Sequence, residues 1–281
     1  MKILLVYFSS SGNTKYIADL IQVGFKLANR ESELIKLKDF NNSDKRLKHL
    51  DLFGIGGPIY AMSYPPNIMD WLHSLPMSKN KKKFFIFNTN AGLPGNAIQN
   101  AKEILEAKNY ECIGMLEQVS PTRDSVIDSK YFKYVKWKKR DVLKSIVFGY
   151  KLAKSVKEKK KFFIDWSNDH IFGNIFRNFF GTFEKLFYRF FPKFIGFDTS
   201  KCRKCKLCEE KCPTKAIRFD DKPIISSYVC IACFNCMRVC PTNAISFKLF
   251  SNAEYFKGPH EVTGYIKPEK LLRKYSLKKE K

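Results

Sequence analysis

The sequence predicts an α/β domain with a doubly wound, five-stranded parallel sheet, followed by a small α+β domain that is rich in cysteine. Apolar runs of strand length alternate with helical patterns over residues 1–120. Loops rich in Gly, Ser and Asn follow several of these runs. Eight of the nine cysteines fall in two short arrays near the C-terminus.

The chain is long enough for two hydrophobic cores, because it has 281 residues of which 44% are hydrophobic. We assign the domains from changes in composition along the chain. They are an α/β domain at 1–160, an amphipathic aromatic helical linker at 161–197, a metal domain at 198–250 and a basic C-terminal tail at 251–281.

The first strand and helix set the pattern of the N-terminal domain. Residues 3–8 are a continuous apolar run, which suits a central parallel strand buried on both faces. Ile17, Leu20 and Ile21 then recur at helical spacing within 14–28. Further strands are predicted at 33–37, 52–55, 84–87 and 112–119, with helices at 67–75 and 96–108. Five strands alternating with helices predict the doubly wound sheet.

Residues 120–197 are rich in lysine and aromatic side chains. Apolar positions from Val142 to Val156 follow helical spacing, which predicts a last helix that covers the sheet. Residues 171–191 form a strongly amphipathic stretch with many phenylalanines. We favour packing of this helix between the two domains. The alternative is a helix lying in the plane of a membrane surface.

The formal net charge is +24, and residues 130–161 hold 13 basic and 2 acidic residues. A field of this sign favours an acidic redox partner protein or an anionic membrane surface. Nucleic acid is a weaker expectation, since no RNA-binding motif accompanies the interleaved lysines and aromatics. The N-terminus lacks the features of a secretory signal, and no apolar stretch approaches the roughly 18 to 20 residues of a membrane span. We expect a soluble, cytoplasmic protein.

Two cysteine arrays share the spacing C-x2-C-x2-C-x3-C-P. They are Cys202, Cys205, Cys208, Cys212 before Pro213, and Cys230, Cys233, Cys236, Cys240 before Pro241. Residues 212–219 and 240–247 also match, so the domain is a duplicated half with an offset of 28 residues. Zinc is the alternative metal, but it favours two separated C-x2-C pairs and has no use for a third close cysteine. The arrays therefore predict two 4Fe-4S clusters.

Residues 199–248 resemble bacterial ferredoxins with two 4Fe-4S clusters over the whole of that domain. The resemblance implies low-potential one-electron transfer, and it implies that the fourth cysteine of each array binds the other cluster. On that basis cluster 1 is bound by Cys202, Cys205, Cys208 and Cys240, and cluster 2 by Cys230, Cys233, Cys236 and Cys212.

Three loops follow predicted strands of the N-terminal domain, at residues 9–14, 56–60 and 88–95. In the first loop, hydroxyls and backbone N–H groups at a helix N-terminus suit a phosphate monoester, although an ordinary serine-rich cap has the same composition. The carboxyl ends of parallel strands share one edge of the sheet, so the three loops are predicted to converge there.

Together these loops resemble those of flavodoxins, a likeness that covers about residues 1–120. It implies FMN, with the phosphate held by Ser9, Ser11, Gly12, Asn13 and Thr14. It further implies a flavin ring bordered by Pro58, Ile59, Tyr60, Asn90, Ala91 and Gly92. The third loop departs from the family because it has no aromatic residue to complete a ring sandwich. Flavodoxins are also acidic, whereas this chain is basic.

The combination resembles fusion proteins of anaerobic prokaryotes that join a flavodoxin domain to a ferredoxin. It predicts a flavo-iron-sulfur protein that passes electrons between FMN, two clusters and an external partner. The alternatives are an iron-sulfur carrier or docking subunit without flavin, and a nucleic-acid-binding cluster sensor. Oxidoreductase activity on an organic substrate stays open, because the sequence assigns no catalytic residue.

Overall fold

The computed structural model describes residues 1–41, 47, 49–92, 94–121, 136–158, 162–164, 188–248 and 258–276. The N-terminal domain contains β1 (Ile3–Tyr7), α1 (Asn13–Leu27), β2 (Ser32–Lys36), β3 (Leu52–Pro58), α2 (Pro66–Ser74), β4 (Lys82–Asn90), α3 (Ala97–Glu106), β5 (Tyr110–Val119), α4 (Lys139–Glu158) and β6 (Phe162–Ile164). The predicted amphipathic helix at 171–191 falls largely outside the described residues.

These strands form one parallel sheet in the order β2-β1-β3-β4-β5-β6. The order of the first five is that of a flavodoxin-like doubly wound sheet, in which the chain reverses direction across the sheet next to β1. The structure therefore confirms the predicted fold class of this domain.

The sixth strand, β6, was not predicted, since the sequence places residues 161–197 in a helical linker. Phe162–Ile164 pairs with Gly114, Met115 and Leu116 of β5. A run of three residues is too short for a period-2 pattern to be recognised. Backbone pairing with the open edge of the sheet, rather than an apolar pattern, defines this strand.

Two helical layers cover the sheet, because alternate residues of each strand point to opposite faces. On β1, Leu4 and Val6 pack towards α2 and α3. Ile3 and Leu5 pack towards α1 and α4 on the other face. The continuous apolar run of β1 is thus explained by burial on both sides.

Helices α1 and α4 approach each other through two glycines. A Cβ atom on Gly24 would lie 2.1 Å from the carbonyl oxygen of Ile146, and one on Gly149 would lie 2.1 Å from that of Ile21. Any side chain at either position would force the helices apart, so glycine is required by contact rather than by backbone conformation.

The metal domain is a compact α+β unit of short elements. It contains β7 (Ile195–Phe197), α5 (Leu207–Glu210), β8 (Ile217–Phe219), β9 (Pro223–Ile225), α6 (Asn235–Val239) and β10 (Ile245–Phe247). The strand β7 pairs with β10, and β8 pairs with β9, both antiparallel. The pairing of β7 with β10 closes the domain, because these strands flank both cysteine arrays.

Residues 258–276 are folded onto the N-terminal domain, in contrast to the basic tail expected over 251–281. Helix α7 (Pro268–Ser276) buries Leu271. The Tyr16 hydroxyl donates to the carbonyl oxygen of Ile266 at 3.0 Å, and the Tyr265 ring lies 4.7 Å from the Tyr16 ring. The described lysines of this segment, Lys267, Lys270 and Lys274, are exposed, and its few apolar residues pack against α1.

None of the helices in the described ranges is long and apolar enough to pass through a lipid bilayer.

Candidate functional site

The two cysteine arrays adopt the same backbone conformation. Three pairs of residues separated by 28 positions have left-handed φ values. They are Lys204 with Ala232 (55° and 47°), Lys206 with Phe234 (58° and 54°) and Lys215 with Asn243 (54° and 50°). Left-handed φ values are uncommon for residues other than glycine. Turns that contain them point successive backbone N–H groups to one side. The duplication seen in the sequence is therefore a duplication of shape.

The fourth cysteine of the second array lies with the first three of the first array. Cys202, Cys205, Cys208 and Cys240 line one small cavity of about 20 Å³. Cys205 is exposed, and the N–H of Leu207, the main influence, lowers the pKa of its thiol. This set of thiols faces solvent on one side.

Cys212 of the first array lies within electrostatic reach of Cys230, Cys233 and Cys236. Burial raises the pKa of the Cys230 thiol to about 11 and that of Cys233 to about 12. Burial also raises the pKa of Cys236. Thiolates in such a place need a cationic partner, and the iron of a cluster is one.

Corresponding hydrogen bonds reach the fourth sulfur of each array. The N–H of Ala216 donates to Cys212 Sγ, and the N–H of Ala244 donates to Cys240 Sγ, both at 3.2 Å. Bonds of this kind stabilise thiolate and tune the potential of a cluster.

No group of three or more His, Cys, Asp or Glu within the described ranges is arranged to hold a single metal ion. A 4Fe-4S cube spreads its four thiolates around four irons, so they lie farther apart than the ligands of one tetrahedral ion. The lack of a single-ion site in the described ranges is therefore compatible with a 4Fe-4S cluster.

The second cysteine array packs against the N-terminal domain. Ile231 and Cys233 are 4% and 8% exposed, and they belong to the same hydrophobic cluster as Ile59 and Tyr60 in the loop after β3. Tyr188, which precedes the metal domain, belongs to it as well. The second array is therefore buried against the flavodoxin-like domain at its first residues.

The loop after β1 forms a polar cradle at the N-terminus of α1. Gly12 has a φ of +90°, and its N–H donates to Ser9 Oγ at 3.1 Å. Among the described residues, no acceptor pairs with the backbone N–H groups of Ser11, Asn13 or Thr14. These unpaired donors and the positive end of the helix dipole suit an anion such as a phosphate.

Asn13 is buried and only half satisfied. Its Nδ2 donates to the carbonyl oxygen of Pro121 at 2.5 Å, while its Oδ1 has no partner among the described residues. A buried unpaired acceptor is costly, so this oxygen calls for a donor such as a hydroxyl.

The segment before α7 crosses the outside of this loop. A Cβ atom on Gly12 would lie 2.8 Å from Cδ of Pro259. The N–H of Trp137 also donates to the carbonyl oxygen of Thr263 at 3.0 Å, which joins the segment to the start of α4. Residues 258–266 therefore brace the loop from the outside.

The three predicted loops converge as expected. Ser10 Oγ and the Tyr60 hydroxyl share a hydrogen bond of 2.5 Å, and Thr14 Oγ1 bonds Thr89 Oγ1 at 2.8 Å. The N–H of Ile59 donates to the carbonyl oxygen of Thr89 at 2.9 Å. These contacts place the loops after β1, β3 and β4 around one crevice.

The loop after β4 is stiffened by its own amides. Asn90 Nδ2 donates to Asn88 Oδ1, and the N–H of Gly92 donates to Asn90 Oδ1, both at 2.8 Å. Gly92 has a φ of +100°, and a Cβ atom there would meet none of the described residues within 4 Å. Open space beside Gly92 leaves room for a ring next to the loop.

Sequence reasoning did not select three residues that shape this region, namely Ser10, Thr89 and Tyr188. Ser10 stands within a serine run in which no residue is distinguished by pattern alone. Thr89 is the penultimate residue of the buried strand β4, where a threonine is common for structural reasons. Tyr188 comes from a distant segment, and its contact with Tyr60 depends on how the domains meet.

Comparison with known proteins identifies the family of the metal domain. Residues 201–244 match the family model described as a 4Fe-4S dicluster domain. No curated protein matches the chain.

The N-terminal part is similar to solved flavodoxins. An archaeal flavodoxin is 21% identical, with a TM-score of 0.44 over 56% of this chain and 99% of its own. The Megasphaera elsdenii flavodoxin is 20% identical, with a TM-score of 0.43 over 55% of this chain and 99% of its own. Flavodoxin 2 from Bacillus cereus is 22% identical, with a TM-score of 0.42 over 57% and 99%.

The chain thus joins a flavodoxin-like domain, defined by its own strand order, to a 4Fe-4S dicluster domain. Clusters of this type carry electrons one at a time, so the role of the chain is electron transfer.

Proposed function

We propose that this chain is a flavo-iron-sulfur electron-transfer protein in which FMN, cluster 2 and cluster 1 form a relay. Cluster 2, bound by Cys230, Cys233, Cys236 and Cys212, is the inner centre. Cluster 1, bound by Cys202, Cys205, Cys208 and Cys240, is the outer centre and exchanges electrons with an external partner.

The observation that carries this proposal is the unequal setting of the two arrays. Ile231 and Cys233 are buried against Ile59 and Tyr60, which border the crevice of the N-terminal domain. Cys205 of the other array is exposed. With the ligands that we propose, one centre would face the domain crevice and the other would face solvent, which is the arrangement a relay needs.

The residues of the crevice fit FMN. The free N–H groups of Ser11, Asn13 and Thr14 would hold its phosphate, and Asn13 Oδ1 would accept a hydrogen bond from a ribityl hydroxyl. Pro58, Ile59, Tyr60 and the Asn90, Ala91 and Gly92 loop would border the ring. When bound, FMN supplies two-electron chemistry that the clusters lack.

The partner that we propose for cluster 1 is an acidic redox protein. The loop around the exposed Cys205 carries four cations, Lys201, Arg203, Lys204 and Lys206, all exposed. Lys201 pairs with Asp198 at 3.0 Å. A basic rim around an exposed centre would steer an acidic protein to the place from which electrons leave.

Anaerobic purification tests the cofactors directly. We expect a yellow chromophore that acid releases, together with about eight irons per chain. Eight irons without flavin would overturn the relay and leave an iron-sulfur carrier or docking subunit. A flavin that binds to wild type but not to Asn13→Leu would locate the chromophore at the proposed cradle.

Charge reversal tests the route to the partner. With an acidic bacterial flavodoxin as the acceptor, Arg203→Glu/Lys204→Glu is expected to slow the second-order reaction about tenfold and to weaken its dependence on salt. Lys79→Glu/Lys81→Glu, at the opposite end of the sheet, carries the same charge change and serves as the control. Equal rates for the two double variants would contradict the proposed exit.

A further inference from the structure

A cavity of about 470 Å³ lies between the two domains. On one side it is lined by residues that follow β1 and β2, namely Phe8, Ser9 and Leu37, and by Trp71 of α2. On the other side it is lined by Cys212 and Pro213. Its volume is within the range of small-molecule sites, and both domain interfaces and the switch point of a doubly wound sheet are common places for them.

The walls of the cavity are apolar and held rigidly. Trp71 is 9% exposed, and its ring lies 5.7 Å from that of Phe40 and 6.0 Å from that of Phe53. Phe8 and Pro213 add further apolar surface. A fixed indole in such a wall favours a flat apolar body over a bare inorganic anion, which would lose its hydration there.

The mouth of the cavity is cationic. Three exposed lysines line it, Lys36, Lys38 and Lys211, against one acidic residue, Glu210. Lys211 is hydrogen-bonded to Glu210 at 2.5 Å. The positive charge left over at the mouth comes from Lys36, the last residue of β2, and from Lys38, which also lies near Glu210. Such a mouth attracts an anionic group.

One buried polar atom of the cavity lining lacks a partner. The Oδ1 of Asn67, at the first turn of α2, has no hydrogen-bond partner among the described residues. Because leaving a buried acceptor unpaired is unfavourable, a ligand that offers a hydroxyl or N–H to Asn67 would be favoured.

We propose that this cavity binds a planar aromatic carboxylate. The carboxylate lies at Lys36 and Lys38, the ring lies against Trp71 and Pro213, and a ring hydroxyl donates to Asn67. The site adjoins the flavin crevice and shares Ser9 and Ser10 with it, but Asn13, Thr14 and Asn90 of the crevice are not among the described residues that line it. It adjoins Cys212, which we assign to cluster 2, so a bound molecule lies beside the inner centre.

Binding of 4-hydroxycinnamate to the anaerobic full-length protein, measured by isothermal titration calorimetry, tests the site. We expect a Kd below about 1 mM, and a loss of at least about tenfold in Lys36→Glu/Lys38→Glu. In the control Lys79→Glu/Lys81→Glu, the substitutions lie just before β4, at the amino ends of the strands. We expect its Kd for the probe to be within about twofold of the wild-type value. Leu37→Trp, which fills the cavity without altering charge, is expected to abolish binding.

Three results would overturn the proposal: no binding by wild type, equal binding by both double variants, or displacement of the probe by FMN. The neutral amide of the probe is expected to bind at least about tenfold more weakly. None of these measurements depends on electron transfer, so they separate this proposal from the proposed function. One further measurement does rest on the proposed function. The probe should shift the electron paramagnetic resonance signal of one reduced cluster and leave that of the other unchanged.

Discussion

The hydroxyl of Tyr188 donates a hydrogen bond of 3.3 Å to the carbonyl oxygen of Tyr60. Tyr60 in turn shares a hydrogen bond with Ser10 through its side chain. A residue next to the metal domain is thereby tied through one loop of the flavodoxin-like domain to another. The two domains meet through specific polar contacts as well as through the buried surface around Ile231.

We expect Tyr188→Phe to lower the free energy of unfolding by about 1 kcal/mol, because it removes one hydrogen bond and keeps the ring. Tyr188 is 8% exposed. Tyr188→Ala also removes its buried ring and should lower the free energy of unfolding by about 3–5 kcal/mol. Anaerobic urea unfolding followed by fluorescence measures both. Losses of the same size would mean that the ring does not contribute to the domain contact.

The positions of the fourth cysteines give a test of ligation. Replacing Cys240 by Ser should disturb the same electron paramagnetic resonance signal as Cys205→Ser, because both line one cavity. Cys212→Ser and Cys233→Ser, as two single variants, should both disturb the other signal. If Cys240→Ser and Cys233→Ser altered the same cluster, the crosswise assignment would be wrong.

Gly12 and Gly92 form a matched pair for testing the brace formed by residues 258–266. Both have positive φ, so alanine at either position is expected to cost about 1–2 kcal/mol of stability. Within the part of the chain that the structure describes, a Cβ atom on Gly12 meets another segment, at Pro259, and one on Gly92 does not. Gly12→Ala should therefore destabilise more, by about 1 kcal/mol or more.

Hydrogen exchange distinguishes the cause of that difference. Faster exchange in residues 258–266 is expected in Gly12→Ala and not in Gly92→Ala. Unchanged exchange in both variants would show that Pro259 does not brace the loop.

Two buried tyrosines predict a loss of stability at high pH. Burial, the main cause, raises the pKa of both Tyr7 and Tyr16 from 10.0 to about 12. Between pH 10 and 12 the unfolded chain releases these protons while the folded chain keeps them. The free energy of unfolding should therefore be intact below pH 10 and fall as the pH rises towards 12.

Burial also raises the pKa of Tyr64, Tyr110 and Tyr265. Tyr16→Phe removes one of these titrating groups and should make the decline shallower, although it also loses the bond to Ile266. Urea unfolding at several values of pH measures the slope. A decline of unchanged steepness in Tyr16→Phe would exclude Tyr16 as a cause.

The sequence predicted correctly those features of the fold that depend on a repeated local pattern. The five strands and the shape of the sheet follow from apolar runs such as 3–8, which are buried on both faces. The convergence of the loops at Ser9, Tyr60 and Asn90 follows from strand direction alone, since carboxyl ends of parallel strands share an edge.

The contacts between distant segments were beyond such patterns. Strand β6 consists of three residues whose pairing partner lies about 50 positions earlier. The docking of residues 258–276 depends on Leu271 and Tyr265, a few apolar residues among many lysines. The cavity at Trp71 and Cys212 exists because two domains meet, and neither domain encodes it separately.

The crosswise ligation that we propose for Cys212 and Cys240 has a consequence for maturation. In that arrangement neither half of the metal domain supplies four thiols to its own site, so insertion of iron into one site would organise the chain that completes the other. Cofactor loading should then be all-or-none. Native mass spectrometry during anaerobic reconstitution should show the iron-free and eight-iron proteins with little of a four-iron intermediate, whereas a prominent four-iron peak would mean that the halves mature independently.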